Sequence, residues 1–416
     1  VGGDSLSTDT LGSRSVAVGY ACLNNQNITS AAAVNNVAVG FNAGFAMTTG
    51  LQNTLIGGQA GDSLTDADNN VAVGFLALST NQLGSANTAI GTDSLSTSNP
   101  SSAALTNNTA VGFHSGKLVT TGTNNTFVGA LAGDATQTGA DNTAVGKGAL
   151  SAICGAGNTA VGLDALNACT NNRNTALGYH AGRVMTGGDN NTVLGYESGL
   201  ALLGGHNNTF VGRSAGAAVN SGVQNTFVGV LCGDNITTGD LNTMIGYNLG
   251  NSAVGVDSEI VIGNNVNGAG TNTVKIGASS GNAVLNLDGS DTSWAASSDE
   301  RLKKDIVNST VGLSFINALR PVTFKWNAKD AIANTLPQYD ADSSDPVYGV
   351  GKAHHGFIAQ EVKAVIDANS DVVDGHNLWN TDSDGTQQVA QGALVPMLVK
   401  AIQEQNALIE ALTARI

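Results

Sequence analysis

Residues 142–146 read Asn-Thr-Ala-Val-Gly, and this phrase returns through most of the chain. It reads Asn-Thr-Ala-Ile-Gly at 87–91 and Asn-Thr-Phe-Val-Gly at 225–229. Of the fifteen intervals between successive closing glycines, ten are 17 residues and the others are 14, 16 or 21. A period of 17 is too short for a helical hairpin or a propeller blade, and it predicts one coil of a parallel β-solenoid. The closing glycines are Gly19, Gly40, Gly57, Gly74, Gly91, Gly112, Gly129, Gly146, Gly162, Gly178, Gly195, Gly212, Gly229, Gly246, Gly263 and Gly277.

Three positions of the coil have a physical interpretation. The residue four before the glycine is Asn in thirteen of the first fourteen copies and Ser15 in the other. Asn tolerates turn conformations, and stacked Asn side chains form hydrogen-bonded ladders. The residue directly before the glycine is always Val, Ile or Leu, so we expect it to face the coil interior, with the Thr two residues earlier on the same face. The glycine is expected at a corner that a Cβ atom would obstruct.

The residue between the Thr and the aliphatic residue points to the opposite face of the strand, which should be polar in a monomer. It is apolar in all of the first fourteen copies. Because both faces are then apolar, we expect this column to be buried against identical chains, and fibrous solenoids commonly form trimers. The pattern leaves open whether each chain coils on itself or three chains interwind. The column comprises Ala17, Ala38, Leu55, Ala72, Ala89, Ala110, Phe127, Ala144, Ala160, Ala176, Val193, Phe210, Phe227 and Met244.

The composition excludes several classes of function. The 416-residue chain carries 17 Lys+Arg against 32 Asp+Glu, and this net charge of −15 argues against nucleic acid or an anionic membrane as a partner. No apolar run approaches the roughly 20 residues of a membrane span. The cysteines lack metal-ligand spacing and no periodic Asp column exists, so we expect no cofactor and no metal. Buried thiols are favoured over a disulfide between Cys154 and Cys169.

The charge density changes near residue 290. Residues 1–290 hold 7 basic and 16 acidic side chains, whereas residues 291–416 hold 10 and 16. The sequence therefore predicts a mostly β protein with three segments: a β-solenoid shaft over 1–290, a smaller α+β domain over 291–393, and a C-terminal coiled-coil helix over 394–416. Because the chain begins at Val1 rather than Met, we also expect an attachment region upstream.

The C-terminal segment has a heptad pattern. Its core residues are spaced 4, 3, 4, 3 and 4 residues apart, with one polar position. This spacing predicts a seam through which three helices hold three chains in register. The alternative is a helix that packs on its own domain. The seam residues are Leu398, Ile402, Gln405, Ile409, Leu412 and Ile416.

The segment after the shaft carries a specific signature. Ser-Asp-Glu-Arg-Leu-Lys at 298–303 is followed by Leu-Arg-Pro-Val at 319–322 and by His-Gly-Phe-Ile-Ala-Gln-Glu-Val at 355–362. From about residue 296 to the end, the chain resembles the endosialidase-type intramolecular chaperone domain at the C-terminus of phage tail fibres and tailspikes. The shaft repeats are similar to those of trimeric autotransporter adhesin heads and phage tail fibres, although the usual period there is shorter than 17.

The resemblance implies that the chain cuts itself once, between Ser297 and Ser298, with Ser298 as the nucleophile and Lys303 as the base. Lysine acts as a base only when desolvation lowers the pKa of its ammonium group, so burial on trimerisation would make cleavage depend on assembly. A five-residue spacing places two side chains about 140° apart on a helix. Ser298 is therefore expected in an extended or capping segment, or opposite Lys303 of a neighbouring chain. The alternative is that Ser298 only caps a helix over 299–307.

Together these patterns predict a homotrimeric phage tail fibre, assembled in the host cytoplasm and carried on the virion. Its expected partners are further copies of the chain and a host surface receptor, either a glycan or an outer-membrane protein. A bacterial trimeric surface adhesin and a glycan-degrading tailspike are the alternatives. Ice binding by the Thr column is a third, which the inward assignment of Thr disfavours.

Overall fold

A computed structural model describes residues 1–30, 32–287, 295–296, 300–336, 338–348, 351–372, 377–382 and 385–416. The chain divides into two compact units, Val1–Ser297 and Ser298–Ile416. The first unit is built from strands and turns, and the second combines short strands with three α-helices.

The first unit is a parallel β-solenoid in which each chain coils on itself. Each strand pairs in parallel, without a register shift, with the equivalent strand one coil away; Thr143–Val145, for example, lies between Thr126–Val128 and Thr159–Val161. The predicted solenoid is therefore confirmed. The described residues contribute sixteen such strands: Val16–Val18, Val37–Val39, Thr54–Ile56, Val71–Val73, Thr88–Ile90, Thr109–Val111, Thr126–Val128, Thr143–Val145, Thr159–Val161, Thr175–Leu177, Thr192–Leu194, Thr209–Val211, Thr226–Val228, Thr243–Tyr247, Ile260–Asn264 and Thr273–Ala278.

Further strands occur where the repeat departs from 17 residues. The two 21-residue intervals each contain an additional two-residue strand, Ala32–Ala33 and Ala104–Leu105. These pair in parallel with Gly12–Ser13 and Gly84–Ser85 of the preceding coil. At the C-terminal end of the ladder the chain reverses, so that Gly281–Asn286 runs antiparallel to Thr273–Ala278 and Ala295–Ala296 adds to its other edge.

The assignment of the two strand faces predicted from the sequence is wrong. The column expected between chains is the interior of each chain's own coil: Ala144 and Phe210 are fully buried. The aliphatic residue before the glycine points outward instead, as Val145 and Leu177 do at 36% and 51% exposure. The physical reason is that successive side chains of a strand point to opposite faces, and the turns of each coil supply the other buried residues of the interior, such as Ala132 and Leu166. The expectation that Phe210 lies in an intersubunit core is therefore contradicted.

The Asn ladder is confirmed, and it is entirely buried. The backbone N–H of Asn142 donates to Oδ1 of Asn125 at 3.0 Å, and its Nδ2 donates to the carbonyl of Gly155 at 2.8 Å. The ladder ends at Glu259, whose backbone N–H donates to Oδ1 of Asn242 at 2.9 Å. The buried Glu259 carboxylate accepts instead from loop amides, including Gly270 N–H at 2.7 Å.

The closing glycines occupy the predicted corner. Gly146 has φ +132°, a conformation that residues with a Cβ rarely adopt. A Cβ atom on Gly146 would also collide with the carbonyl oxygen of Gly162 in the next coil. The repeat therefore requires glycine for two independent reasons, backbone conformation and the close approach of successive coils.

The second unit has its own small core. Three α-helices, α1 (Leu313–Ala318), α2 (Ala359–Asp367) and α3 (Leu394–Thr413), pack with two antiparallel strand pairs. Its buried residues include Phe315, Val362 and Met397, one from each helix. The described residues of this unit also form the strands Val322–Phe324, His354–Gly356, Trp379–Thr381 and Gln387–Val389, and the 3-10 turns Glu300–Leu302, Lys329–Ala331 and Gln391–Ala393.

The buried column predicts a large stability difference between two Phe→Ala variants. Phe210 is fully buried and stacks on Phe227 with ring centroids 5.0 Å apart, so Phe210→Ala should destabilise the shaft by about 3–5 kcal/mol. Phe45 is 38% exposed, and Phe45→Ala should change stability by less than about 1 kcal/mol. Guanidinium unfolding followed by circular dichroism measures both. Equal midpoints for the two variants would contradict the interior assignment.

The four cysteines should be unreactive in the native protein. Cys22, Cys154, Cys169 and Cys232 are free thiols and buried, and burial raises the pKa of Cys169 to about 11. Because the thiolate is the reactive form, DTNB at pH 8 should label none of them until the chain is unfolded, when it should label all four. Rapid labelling of a native thiol would show that the coil interior opens readily.

Candidate functional site

The base of the expected Ser–Lys dyad lies in an open segment. Lys303 directly follows the 3-10 turn Glu300–Leu302, and its backbone N–H donates to the carbonyl of Glu300 at 3.0 Å. The Lys303 side chain is exposed in the single chain. Ser297 and Ser298, the expected cleavage site and nucleophile, lie outside the described residues, so the dyad stays a prediction.

The alternative role of Ser298, as the cap of a helix over 299–307, does not agree with the described part of this segment. Only Glu300–Leu302 form a helical turn there, and residues 303–310 are irregular and exposed. Asp305 has a positive φ of 54°, which an α-helix does not contain.

Two parts of the sequence signature meet in one strand pair. His354–Gly356 runs antiparallel to Val322–Phe324, which brings His355 opposite Thr323. The Nδ1 atom of His355 lies 3.3 Å from the Thr323 hydroxyl oxygen. The neighbouring His354 ring packs near Phe324, with centroids 5.8 Å apart. Neither histidine has a role assigned from the sequence; in this structure His354 is partly buried beside Phe324, and His355 is exposed.

An ion pair also joins these two parts of the signature. Nε of Arg320 donates to Oε2 of Glu361 at 2.9 Å, and the Arg320 terminal nitrogen pairs with the other carboxylate oxygen. The hydrogen bonds from Arg320 lower the pKa of Glu361. This bidentate pair ties the segment before Val322–Phe324 to the first turn of α2. Sequence reasoning missed the pairing because the partners lie 41 residues apart.

Helix α3 has two different faces. Leu394, Met397 and Ala401 are buried against the core of the second unit. Further along, the Glu404 carboxylate accepts a hydrogen bond from Leu313 N–H at 2.8 Å and so caps the first turn of α1. This bond and a weaker one from Lys400 lower the pKa of Glu404.

The other face of α3 carries the predicted heptad seam, and in the single chain this seam is open to solvent. Leu398 is 43% exposed, and Ile402, Ile409 and Leu412 are each more than half exposed. The interpretation of this helix as packed on its own domain therefore holds for the face with Leu394, Met397 and Ala401, whereas the coiled-coil seam stays a prediction.

The described parts of the chain also bear on metal binding and on membrane crossing. Among those residues, no group of three or more His, Cys, Asp or Glu side chains is arranged to hold a metal ion. None of the helices there combines the length and the apolar character that crossing a bilayer requires.

A comparison with known families supports the resemblance seen in the sequence. Residues 298–371 match the family model described as "chaperone of endosialidase". No curated protein and no solved structure matches the chain. A β-solenoid shaft followed by this segment fits a tail fibre with a C-terminal chaperone domain, and the chaperone family implies assembly by self-association.

The Glu404 contact predicts a pH-dependent stability of the second unit. A carboxylate whose pKa is lowered by folding stabilises the fold above its ordinary pKa of about 4.5 and loses that contribution as the pH falls through the lowered value. Glu404→Gln should therefore be less stable than the unmodified protein at pH 7, and the difference in stability should narrow as the pH falls below about 4.5. Urea unfolding followed by Trp326 and Trp379 fluorescence measures this.

The matched control is Glu410→Gln, which changes an exposed carboxylate on the same helix. It should follow the unmodified protein across the pH range. A stability deficit of Glu404→Gln that stays constant from pH 7 to pH 3 would show that the carboxylate charge is not what stabilises the α1 cap.

Proposed function

We propose that this chain forms a homotrimeric attachment fibre in which the second unit assembles three chains through the α3 seam. The observation that carries this proposal is the exposed seam on a domain that matches a chaperone family. Ile402 and Ile409 each expose more than half of an aliphatic side chain, and burying such side chains contributes about 1.5–3 kcal/mol each. Three parallel copies of α3 would bury the whole seam along one axis.

The proposed role of this seam is to set the register of the three chains relative to one another. The shaft coils are nearly equivalent, so a shift of one chain by one coil changes few contacts along the shaft. The seam has a single polar position, Gln405, and a fixed start near Leu398. Aligning the Gln405 side chains of three chains favours one register over the alternatives, as a buried polar residue does in coiled coils.

We further propose that assembly triggers one self-cleavage. The Ser298 hydroxyl attacks the Ser297 carbonyl carbon, and Lys303 accepts the hydroxyl proton. The peptide C–N bond then breaks, the leaving amine of residue 298 takes up the proton, and water hydrolyses the resulting ester. Lys303 is exposed in the single chain. This exposure supports a mechanism in which Lys303 acts as a base only after neighbouring chains exclude water from it.

The attachment role is that of a phage tail fibre that contacts a host surface glycan or outer-membrane protein. A bacterial trimeric adhesin is the alternative, and a membrane anchor encoded in the same gene would favour it. A glycan-degrading tailspike would release reducing sugar from host polysaccharide, whereas a fibre would only bind it.

Ice binding is a further candidate because the Thr column faces outward. The expectation that Thr faces inward, which disfavoured ice binding, no longer applies. Thr126 and Thr143, for example, lie side by side on the outer face of the sheet in adjacent coils. A thermal hysteresis assay tests this candidate directly. Hysteresis would favour an ice-binding protein, and its absence would support the fibre.

Three variants test the assembly and cleavage model. Ser298→Ala should leave the 416-residue chain intact while trimers still form, because the change removes the nucleophile and no packing group. Lys303→Ala should also block cutting, since no base activates the hydroxyl. Ile409→Asp should reduce both trimer formation and cleavage, because it places a charge in the seam. Denaturing gels that separate fragments of 297 and 119 residues, together with sedimentation, measure all three.

Arg415→Ala is the matched control for Ile409→Asp. It alters an exposed position of the same C-terminal segment outside the seam, and it should leave trimers and cleavage unchanged. Cleavage that persists in Ser298→Ala would reject the dyad. Stable trimers of Ile409→Asp would reject the seam as the assembly element.

A further inference from the structure

The outer face of the shaft sheet is a continuous uncharged surface with one aliphatic column and one column that is mostly Thr. We use the name shaft face for the side chains that lie one and three residues before the closing glycine in each of the sixteen ladder strands. The position before the glycine is aliphatic in every strand, and the position three before it is Thr, Val or Ile. The register carries each column unbroken from coil to coil, as in Val145 beside Val161.

Exposure of this face is extensive. Ile56, Val128, Leu177, Val228 and Ile245 expose between 37% and 51% of their side chains along the shaft. With sixteen coils, the two columns present on the order of 1,000 Å² per chain, comparable to the about 800 Å² that each partner buries in a standard interface. The unbroken aliphatic column within this area is a contiguous apolar patch of the kind that marks interaction sites.

The charge pattern identifies the kind of partner. Neither column of the shaft face contains a charged residue in any coil, although the chain carries 49 charged side chains and a net charge of −15. A sheet that faces water normally carries Lys and Glu on its outer face. A surface that meets a copy of itself must instead be free of like charge, because identical charges would face each other in a region of low dielectric.

The column around the glycine corner is mixed rather than uniformly apolar. The residue directly after the glycine is an exposed aromatic in several coils, including Tyr179 and Tyr196, whose rings stack with centroids 5.3 Å apart. In other coils the same position is charged, as at Lys147 and Arg213. The uncharged surface that runs through every coil is therefore limited to the shaft face, and the aromatic positions extend it only locally.

We infer that the shaft face is where the shafts of identical chains meet, so that the protein is a trimer along its shaft as well as at α3. This inference rests on the homotrimer proposed above and adds the surface involved. A host receptor fits less well, because binding a receptor would require only part of the face, whereas the charge-free columns extend over all sixteen coils. Burial between chains also makes the Thr column inaccessible to ice.

Pyrene labelling in the full chain tests this inference. The variants Val145→Cys and Val228→Cys place a thiol on the shaft face, and Thr121→Cys places one on the exposed loop side of the coil. Labelled with pyrene maleimide, the first two should show an excimer-to-monomer emission ratio several-fold above that of labelled Thr121→Cys. The unmodified protein, whose thiols are buried, is the background control.

The outcomes separate the two proposals. Monomer emission from all three labelled variants, with trimers in sedimentation, would overturn the shaft-face inference and leave α3 as the assembly element. Monomers in sedimentation of the unmodified protein would overturn the homotrimer itself. Excimer emission that is lost on mixing with excess unlabelled chain before assembly would support contact between chains.

A label-free variant covers the case in which pyrene itself keeps the shafts apart. The variant Val145→Glu places one charge on the shaft face of every chain without changing the coil interior. Its thermal unfolding midpoint should fall clearly below that of the control Thr121→Glu. Equal midpoints in the two proteins would show that the shaft face is open to solvent and would overturn the inference.

Discussion

Parallel hydrogen bonding between successive coils is the interaction on which the shaft depends. Each strand and turn bonds to its equivalent in the next coil, and the buried Asn column adds a second ladder of side-chain hydrogen bonds parallel to the first. This arrangement brings the backbones so close at the corner that only glycine fits, as at Gly146. Asn and Gly therefore recur together because the same stacking step imposes both.

The narrow coil has a second consequence, which concerns where apolar residues can go. Its interior takes one column per strand, mostly Ala, with Phe127, Phe210 and Phe227 where space allows. The second apolar column of each strand is therefore placed on the outside. When a short-period solenoid has more apolar residues than its interior holds, the others lie on its surface and favour association with another chain. The size of the coil is thereby linked to quaternary structure.

Sequence reasoning could predict the period, the Asn ladder and the glycine corner, because each leaves a repeated residue type. It assigned the strand faces wrongly because a two-residue alternation defines two faces without saying which is inside, and Ala and Val are both apolar. The contact of Glu404 with Leu313 could not be predicted either, since these residues are 91 positions apart and follow no pattern. Ser298 and Lys303 could be proposed from the sequence because they belong to one short signature, and their pairing stays a prediction.

The equivalence of the coils bears on how such a shaft changes over evolution. Because Asn142 bonds to Asn125 in the same way that most Asn residues bond to their neighbours, removing or adding one whole coil restores the same ladder. Glu259 and the antiparallel strand Gly281–Asn286 stand outside this periodicity and end the stack. Recombination between coils can therefore lengthen or shorten the shaft in steps of about 4.8 Å without a new fold. The length of the shaft can then change without any change in the second unit.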